Sequence, residues 1–568
     1  MKHYVITTVL LAATLTAAAQ PRSEHEMQTI ASQYLYGAQA RGNGTLRPQL
    51  QPELTTTMVA TYSDAAGHTV FVSRDAAFAP VMGATDHAVA PEAVPDGLRW
   101  WLATISLTMQ QKLDANDWHT IMHAPTATTV EPLVSSRWAQ DTPYNDKCPV
   151  ADTWTKRRAQ TGCVATAMAQ IMNYHEYPAK GQGMGYYTLN NNKKNVRIEG
   201  QYDWANMKDT YSSSAAKDAT TDAVATLMYD CGLASGMTYA VQGSGATTLN
   251  AAAGMVNHFT YDEAALHCTF RTFTNDVAWL QTIYNELAAQ RPVLYASTDA
   301  TYGAHAFVID GCRADDGYVH VNWGWNGDAD GWFDFFNLNP RTAYQQAYGM
   351  QGYDFSSDVQ SQSMLTGITA PGKGDFSYEA YWCMDGEENI TVEGDSIVLH
   401  LPTLINYHFM PFEGLVGLCI EDPVTEKGTL QPFYYSAWEK STVSSLTGWK
   451  PMDVPYYKNI TDALDDGTYD LYLMAWDQRA LNAKTPPQYI RFPARNDGKE
   501  NYNVWRLTKK DGHLSIQKQD VPAGSGIEYT DHSPLTTDHP AYDLQGRRMN
   551  SVAKKGIYVK NGKKYIGR

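Results

Sequence analysis

Residues 160–175, QTGCVATAMAQIMNYH, place Cys163 directly after Gly162 and at the head of an apolar run. Val164, Ala167, Met168, Ile171 and Met172 recur at three and four residues, which predicts a buried helix starting at or beside Cys163. The amino end of that helix then points at the sulfur. Unpaired backbone N–H groups and the positive end of the helix dipole favour thiolate over thiol. Gly162 lets another backbone approach closely. A small residue packed in the core is the commoner fate of a free cysteine, so a partner base has to come from elsewhere in the chain.

Downstream, GAHAFVIDGCRADDGYVHVNWGWNGDADGWF holds two β-rich segments around RADDG, the pattern of a hairpin. His305 opens the first strand, and the run 306–309 is apolar on both faces. The second strand, Tyr318 to Trp325, returns past it and brings Asn322, Trp323 and Trp325 near the imidazole. Because side chains alternate along a strand, Asn322 and Trp323 cannot both face His305. Upstream, RWAQDTPYN supplies Gln140, a neutral amide able to pair with the Cys163 N–H as a donor to a developing oxyanion. The order cysteine, histidine, asparagine is that of papain-like hydrolases.

The stretches RWAQDTPYN, TGCVATAMAQIMNYH, GSGA, HAFVIDG and HVNWGWNGDADGWF resemble, in order and spacing, the streptopain family of secreted bacterial cysteine peptidases. The resemblance implies an α+β chain: a papain-like catalytic domain over 131–358, preceded by an inhibitory propeptide over 20–130. It implies Cys163 as nucleophile, His305 as general base and acid, and Gln140 as oxyanion donor. Trp323 becomes a wall beside His305, with Asn322 a second candidate for orienting the ring and Trp325 a neighbour. Ser244 and Gly245, in VQGSGATT, match a loop bordering the substrate cleft. The family's general preference for an apolar side chain two residues before the cut is carried over with it, and protein substrates and the chain's own propeptide are the implied partners.

At 568 residues several domains are expected. The formal net charge of -16 argues against nucleic acid and anionic membrane surfaces as main partners. MKHYVITTVLLAATLTAAAQ reads as a secretory signal over 1–19, with an apolar run too short to span a bilayer. The mature protein is therefore expected outside the cell or at a bacterial cell surface, with no transmembrane segment. Of seven cysteines, the six other than Cys163 allow up to three disulfides of unreadable connectivity, or buried thiols.

The N-terminal unit reads as small α/β: a helix over 23–36, a strand over 70–73 and an amphipathic helix over 98–113. APTATTVEP, 124–132, is the expected processing linker. From 359 to 525, short apolar runs separated by turns suggest an accessory β-sandwich. The stretch 526–568 reads as linker plus a basic tail in which KKGIYVKNGKK forms a hairpin, and it resembles a Bacteroidetes-type sorting segment able to attach the protein to the cell surface. NGDADG at 326–331 lacks the twelfth-position glutamate of an EF-hand, Asn337 standing there, and reads as a turn. GQGMG at 181–185 reads as a loop. Metal and nucleotide motifs are missing from the sequence, so no cofactor is expected. Two other classes share parts of the pattern: a transglutaminase-like acyl transferase, and a non-enzymatic adhesin built on the β-rich half.

Overall fold

The computed structural model describes residues 20–37, 48–115 except 88 and 90–93, 128–338 except 272–275 and 300–302, 360–372, and shorter stretches between 382 and 567. The signal segment 1–19 and residues 124–127 of the processing linker lie outside them.

The frame of the molecule is a ten-stranded sheet. In spatial order its strands are Gln49–Leu50, Val59–Ser63, Thr69–Ser73, Val81–Thr85, Gly331–Phe333, Val319–Asn322, Gly303–Cys312, Val293–Asp299, Gln360–Thr366 and His267–Phe270. Every neighbouring pair is antiparallel. The central strands are apolar on both faces because helices cover both. Ala306 and Val308 belong to the core formed with helices α3 (Cys163–His175), α4 (Ala219–Ala234) and α5 (Thr248–Phe259). Phe307 and Ile309, one residue out of step, belong to the core formed with α2 (Asp96–Asp114) and α6 (Asp276–Ala288). This is the period-two alternation of a strand, used to bury two layers instead of one.

The N-terminal unit, helix α1 (Glu24–Tyr36) and its four strands, continues the main sheet. Its strand Val81–Thr85 pairs directly with Gly331–Phe333, in the register Trp332 opposite Ala84. No Cβ could be accommodated at Gly331, where one would lie 2.2 Å from the Ala84 carbonyl oxygen. Glycine permits this close join. Helix α2 then lies on the sheet as a core element: Trp100 and Trp101 are 1% and 0% exposed, and the Trp101 indole donates to the Asp334 carbonyl at 2.8 Å. Both predicted helices of this unit form, within two residues of the expected ends. Of the stretch 124–132, Val130 is paired with Cys312 through both backbone bonds, 2.7 and 2.9 Å, so the end of that segment is held to the sheet.

The strand Gln360–Thr366, expected in the accessory region, lies between Val293–Asp299 and His267–Phe270 in the main sheet. The β-rich module thus begins after it. A six-stranded sheet and two three-stranded sheets make up that module, and Ile397, Leu399, Leu404, Leu418, Leu473 and Leu507 from different sheets share one core. In the basic tail, Gly556–Lys560 pairs with Lys563–Gly567 as the expected hairpin. GQGMG is not a loop throughout: Met184 starts a strand, and Gly185 packs against the Leu233 carbonyl, where a Cβ would lie 2.7 Å away. Cys148, Cys163, Cys231, Cys268, Cys312 and Cys419 are all buried and outside any disulfide, so five of the six cysteines for which bridges were left open are buried thiols. The side chain of Cys383 lies outside the described residues.

Candidate active site

Cys163 is the first residue of α3, and Gly162 before it provides no side-chain cap, so the helix amino end is open toward the sulfur. Gly162 adopts φ 88°, and a Cβ there would lie 2.7 Å from Met237 Sδ and 3.0 Å from the Ser244 carbonyl oxygen. Glycine is therefore required on both conformational and steric grounds. The turn that presents the thiol is pinned from two sides. The Thr161 N–H donates to the Gln140 carbonyl at 3.0 Å, and the Gln160 N–H donates to the Ala240 carbonyl at 3.1 Å.

His305 lies in the strand Gly303–Cys312, 5% exposed, and its side chain hydrogen-bonds Cys163. Burial pushes the Cys163 thiol up, but the bond and charge of His305, with the N–H groups of Ala306 and Val164, outweigh it and hold the thiol below its ordinary value. Burial pulls His305 down, but Cys163, the Trp323 carbonyl and the nearby charge of Asp96 raise it above its ordinary value. The two shifts run in the directions that favour a thiolate–imidazolium pair. They contrast with Cys148, which burial pushes up to about 12 as an ordinary core thiol.

The second strand of the hairpin ends at Asn322, short of the expected Trp325, and Asn322 and Trp323 take different roles beside the imidazole. His305 Nε2 faces the Trp323 main-chain oxygen at 3.2 Å. The Trp323 ring, fully buried, packs on Phe307 at 4.8 Å between centroids, and its indole donates to the Ala329 carbonyl at 2.9 Å. Asn322 points away from the histidine: its amide donates to the Ser136 carbonyl at 2.9 Å, and its oxygen accepts from Gln170 and from the Gly324 N–H, both at 3.1 Å. Trp325 packs at the edge of the same core as Trp323. The Ser244 hydroxyl bonds both backbone groups of Ala240, and Gly245 pairs with Thr238, so this loop is anchored beside Gly162. Gln140 is 9% exposed, in the segment held to Thr161.

With this geometry in place, the comparisons decide the family. Residues 138–333 match the model described as the Peptidase C10 family. The chain belongs to that family. Streptopain from Streptococcus pyogenes is 35% identical over 241 residues, covering 38% of this chain and 60% of that one. The chain thus spans under two thirds of the length of this C10 relative. A thiol protease/hemagglutinin, PrtT, from Porphyromonas gingivalis is 31% identical over 297 residues, 49% of this chain and 33% of that one. A solved fragment of prointerpain A from Prevotella intermedia is 30% identical, with 57% of this chain and 99% of that one covered, at a TM-score of 0.49.

Several residues of this C10 site escaped the sequence reading. Gly97, near the start of α2, sits so close that a Cβ would lie 2.4 Å from His305 Cδ2 and 2.6 Å from Trp323 Cε3. Asp330, in NGDADG, accepts from the Trp323 N–H at 2.9 Å; burial pushes its carboxyl up to about 7 despite the charge of His320. Burial alone would lower His320, but Asp310 at 2.6 Å and Asp86 at 3.3 Å push it up to about 10. Asp86 belongs to the N-terminal unit, so this ion pair crosses the same join as the strands. Among the described residues no cluster of His, Cys, Asp and Glu could hold a metal ion, and no helix is long and apolar enough to cross a membrane.

Proposed function

We propose that this chain is an exported cysteine endopeptidase made as a zymogen. The observation that supports this most is the Cys163–His305 hydrogen bond at an uncapped helix amino end, with the imidazole Nε2 held by the Trp323 carbonyl. Cys163 attacks the carbonyl carbon of a peptide bond. The oxyanion that forms is held by the Cys163 N–H and the Gln140 amide. His305 gives its proton to the leaving amine, the C–N bond breaks, and the acyl group stays on sulfur. Water then adds with His305 as base, releasing the acid and restoring the thiolate. Ser244 and Gly245 border the cleft, and an apolar side chain two residues before the cut is the preferred substrate feature.

Latency is ascribed to residues 20–130. The start of α2 packs closely on His305 and Trp323 through Gly97, and the strand join and the Asp86–His320 pair fasten the unit in place. Cutting is placed before Thr128, because Val130 is already paired with the main sheet. The leader 1–19 directs export, and the basic C-terminal hairpin serves sorting, with surface attachment as one outcome. The reading is tested by incubating purified full-length chain with a denatured protein substrate and sequencing the new termini. Internal cleavage, preceded by loss of the N-terminal unit and abolished in Cys163→Ala, is expected. Amine incorporation into glutamine without cleavage would replace it with an acyl transferase.

A further inference from the structure

Helix α3 buries an apolar face, yet it carries one fully buried amide, Gln170, seven residues after Cys163 and so two turns along the same side of the helix. A buried amide is costly unless its groups are bonded, and an apolar residue of similar volume could fill the space. Gln170 is bonded at both ends. Its oxygen accepts from the Trp138 N–H at 3.1 Å, two residues before Gln140. Its nitrogen donates to Asn322 Oδ1 at 3.1 Å. That same oxygen accepts from the Gly324 N–H at 3.1 Å, which belongs to the peptide group whose carbonyl, that of Trp323, faces His305 Nε2 at 3.2 Å. All of Trp138, Gln170, Asn322 and Trp323 are at most 2% exposed.

We infer that Gln170 is a positioning residue for the thiolate–imidazolium pair, acting through Asn322 and the Trp323–Gly324 peptide to fix the carbonyl that anchors His305. The inference rests on the peptidase reading above. Gln170 touches neither sulfur nor imidazole. It links the three segments that must stay in register for the reaction: the nucleophile helix, the segment carrying Gln140, and the strand end behind His305. Orienting the peptide dipole keeps its oxygen on the imidazole N–H, and a charge-assisted bond of this kind loses strength steeply when misaligned. Asn322 accepts two bonds at one oxygen and donates to Ser136, so losing Gln170 leaves one acceptor site short and the Trp138 N–H unpaired.

The test compares wild type, Gln170→Leu, Gln170→Glu and Cys163→Ser as full-length chains. The ultraviolet thiolate absorbance is followed against pH as the difference from Cys163→Ser, with peptide cleavage measured in parallel after self-processing or added protease. The facing groups are Cys163, Asp96 and the Trp323 carbonyl, and none is altered. In Gln170→Leu the pH window of the thiolate should narrow by about one unit in total, and kcat should fall roughly 10-fold with KM little changed. Gln170→Glu, isosteric and still an acceptor for Trp138 but no longer a donor when ionised, should shift the same way; it carries the test if the leucine variant does not fold. A lowered melting temperature with an unchanged thiolate window and unchanged kcat would overturn the positioning role and leave Gln170 purely structural. Wild-type chain that shows a thiolate but cleaves nothing would instead count against the peptidase reading, which separates the two failures.

Discussion

His305 is anchored through its Nε2 to the main-chain oxygen of Trp323, 3.2 Å away, with no side-chain amide or carboxylate in that place. A backbone carbonyl cannot be removed by substitution and carries no charge to titrate. The Trp323 side chain serves instead to pack Phe307 and hold the loop through Ala329. Trp323→Phe, which keeps an aromatic ring there and loses the indole bond and part of the buried volume, should therefore retain activity within about 10-fold, whereas Trp323→Ala should cost roughly 3–5 kcal/mol of stability. Steady-state kinetics and thermal unfolding distinguish the two.

Gln140→Ala is expected to lower kcat by about 10²–10³ with a small change in KM, because an oxyanion donor acts on the transition state more than on the bound substrate. Gln140→Glu should be as poor, since a carboxylate cannot donate. Peptide-substrate kinetics on the processed protein check both.

Activity should follow a bell in pH. The Cys163 thiol is held below its ordinary value and His305 above its own. As pH falls through the lowered thiol value the thiolate is protonated and the nucleophile is lost. As pH rises through the raised imidazole value the leaving-group acid is lost. The plateau in kcat/KM lies between them.

Gly97→Val puts a side chain where the backbone of α2 meets His305 and Trp323. The first turn of α2 has to move, and the N-terminal unit should dock more weakly. A shorter lag in self-processing than for wild type, read by gel time course, is the expected outcome; an unchanged or longer lag would contradict this role for the contact.

His320 is buried between Asp310 and Asp86 and pushed from its ordinary 6.5 up to about 10. Because the folded value is raised, the stability it contributes is complete below about 6.5 and lost as pH rises toward about 10. Chemical denaturation of the full-length chain across that range should show the loss, and His320→Gln should flatten it.

The pairing of Cys163 with His305 was legible because both residues announce themselves locally: Cys163 by a glycine and an apolar helix, His305 by an apolar strand and its hairpin. The alternation rule also separated Asn322 from Trp323 before the fold was known. The anchor of His305 was hidden because a carbonyl has no letter in the sequence. Gln170 was hidden because an amide inside an apolar period looks like noise until its partners, 32 and 152 residues away, are placed. The pairing of Val81–Thr85 with Gly331–Phe333 and the return of Gln360–Thr366 into the main sheet are long-range choices. Local pattern cannot express them.

The most direct test of the account is mass spectrometry of the purified chain after reaction with iodoacetamide, with proteolytic activity followed alongside. The Cys163 thiol is held below its ordinary value, while Cys148 and Cys268 are pushed up by burial and should stay unmodified. The account predicts modification at Cys163, complete loss of activity, and both appearing once the N-terminal unit has been removed. An unreactive Cys163 in processed, active protein would contradict it.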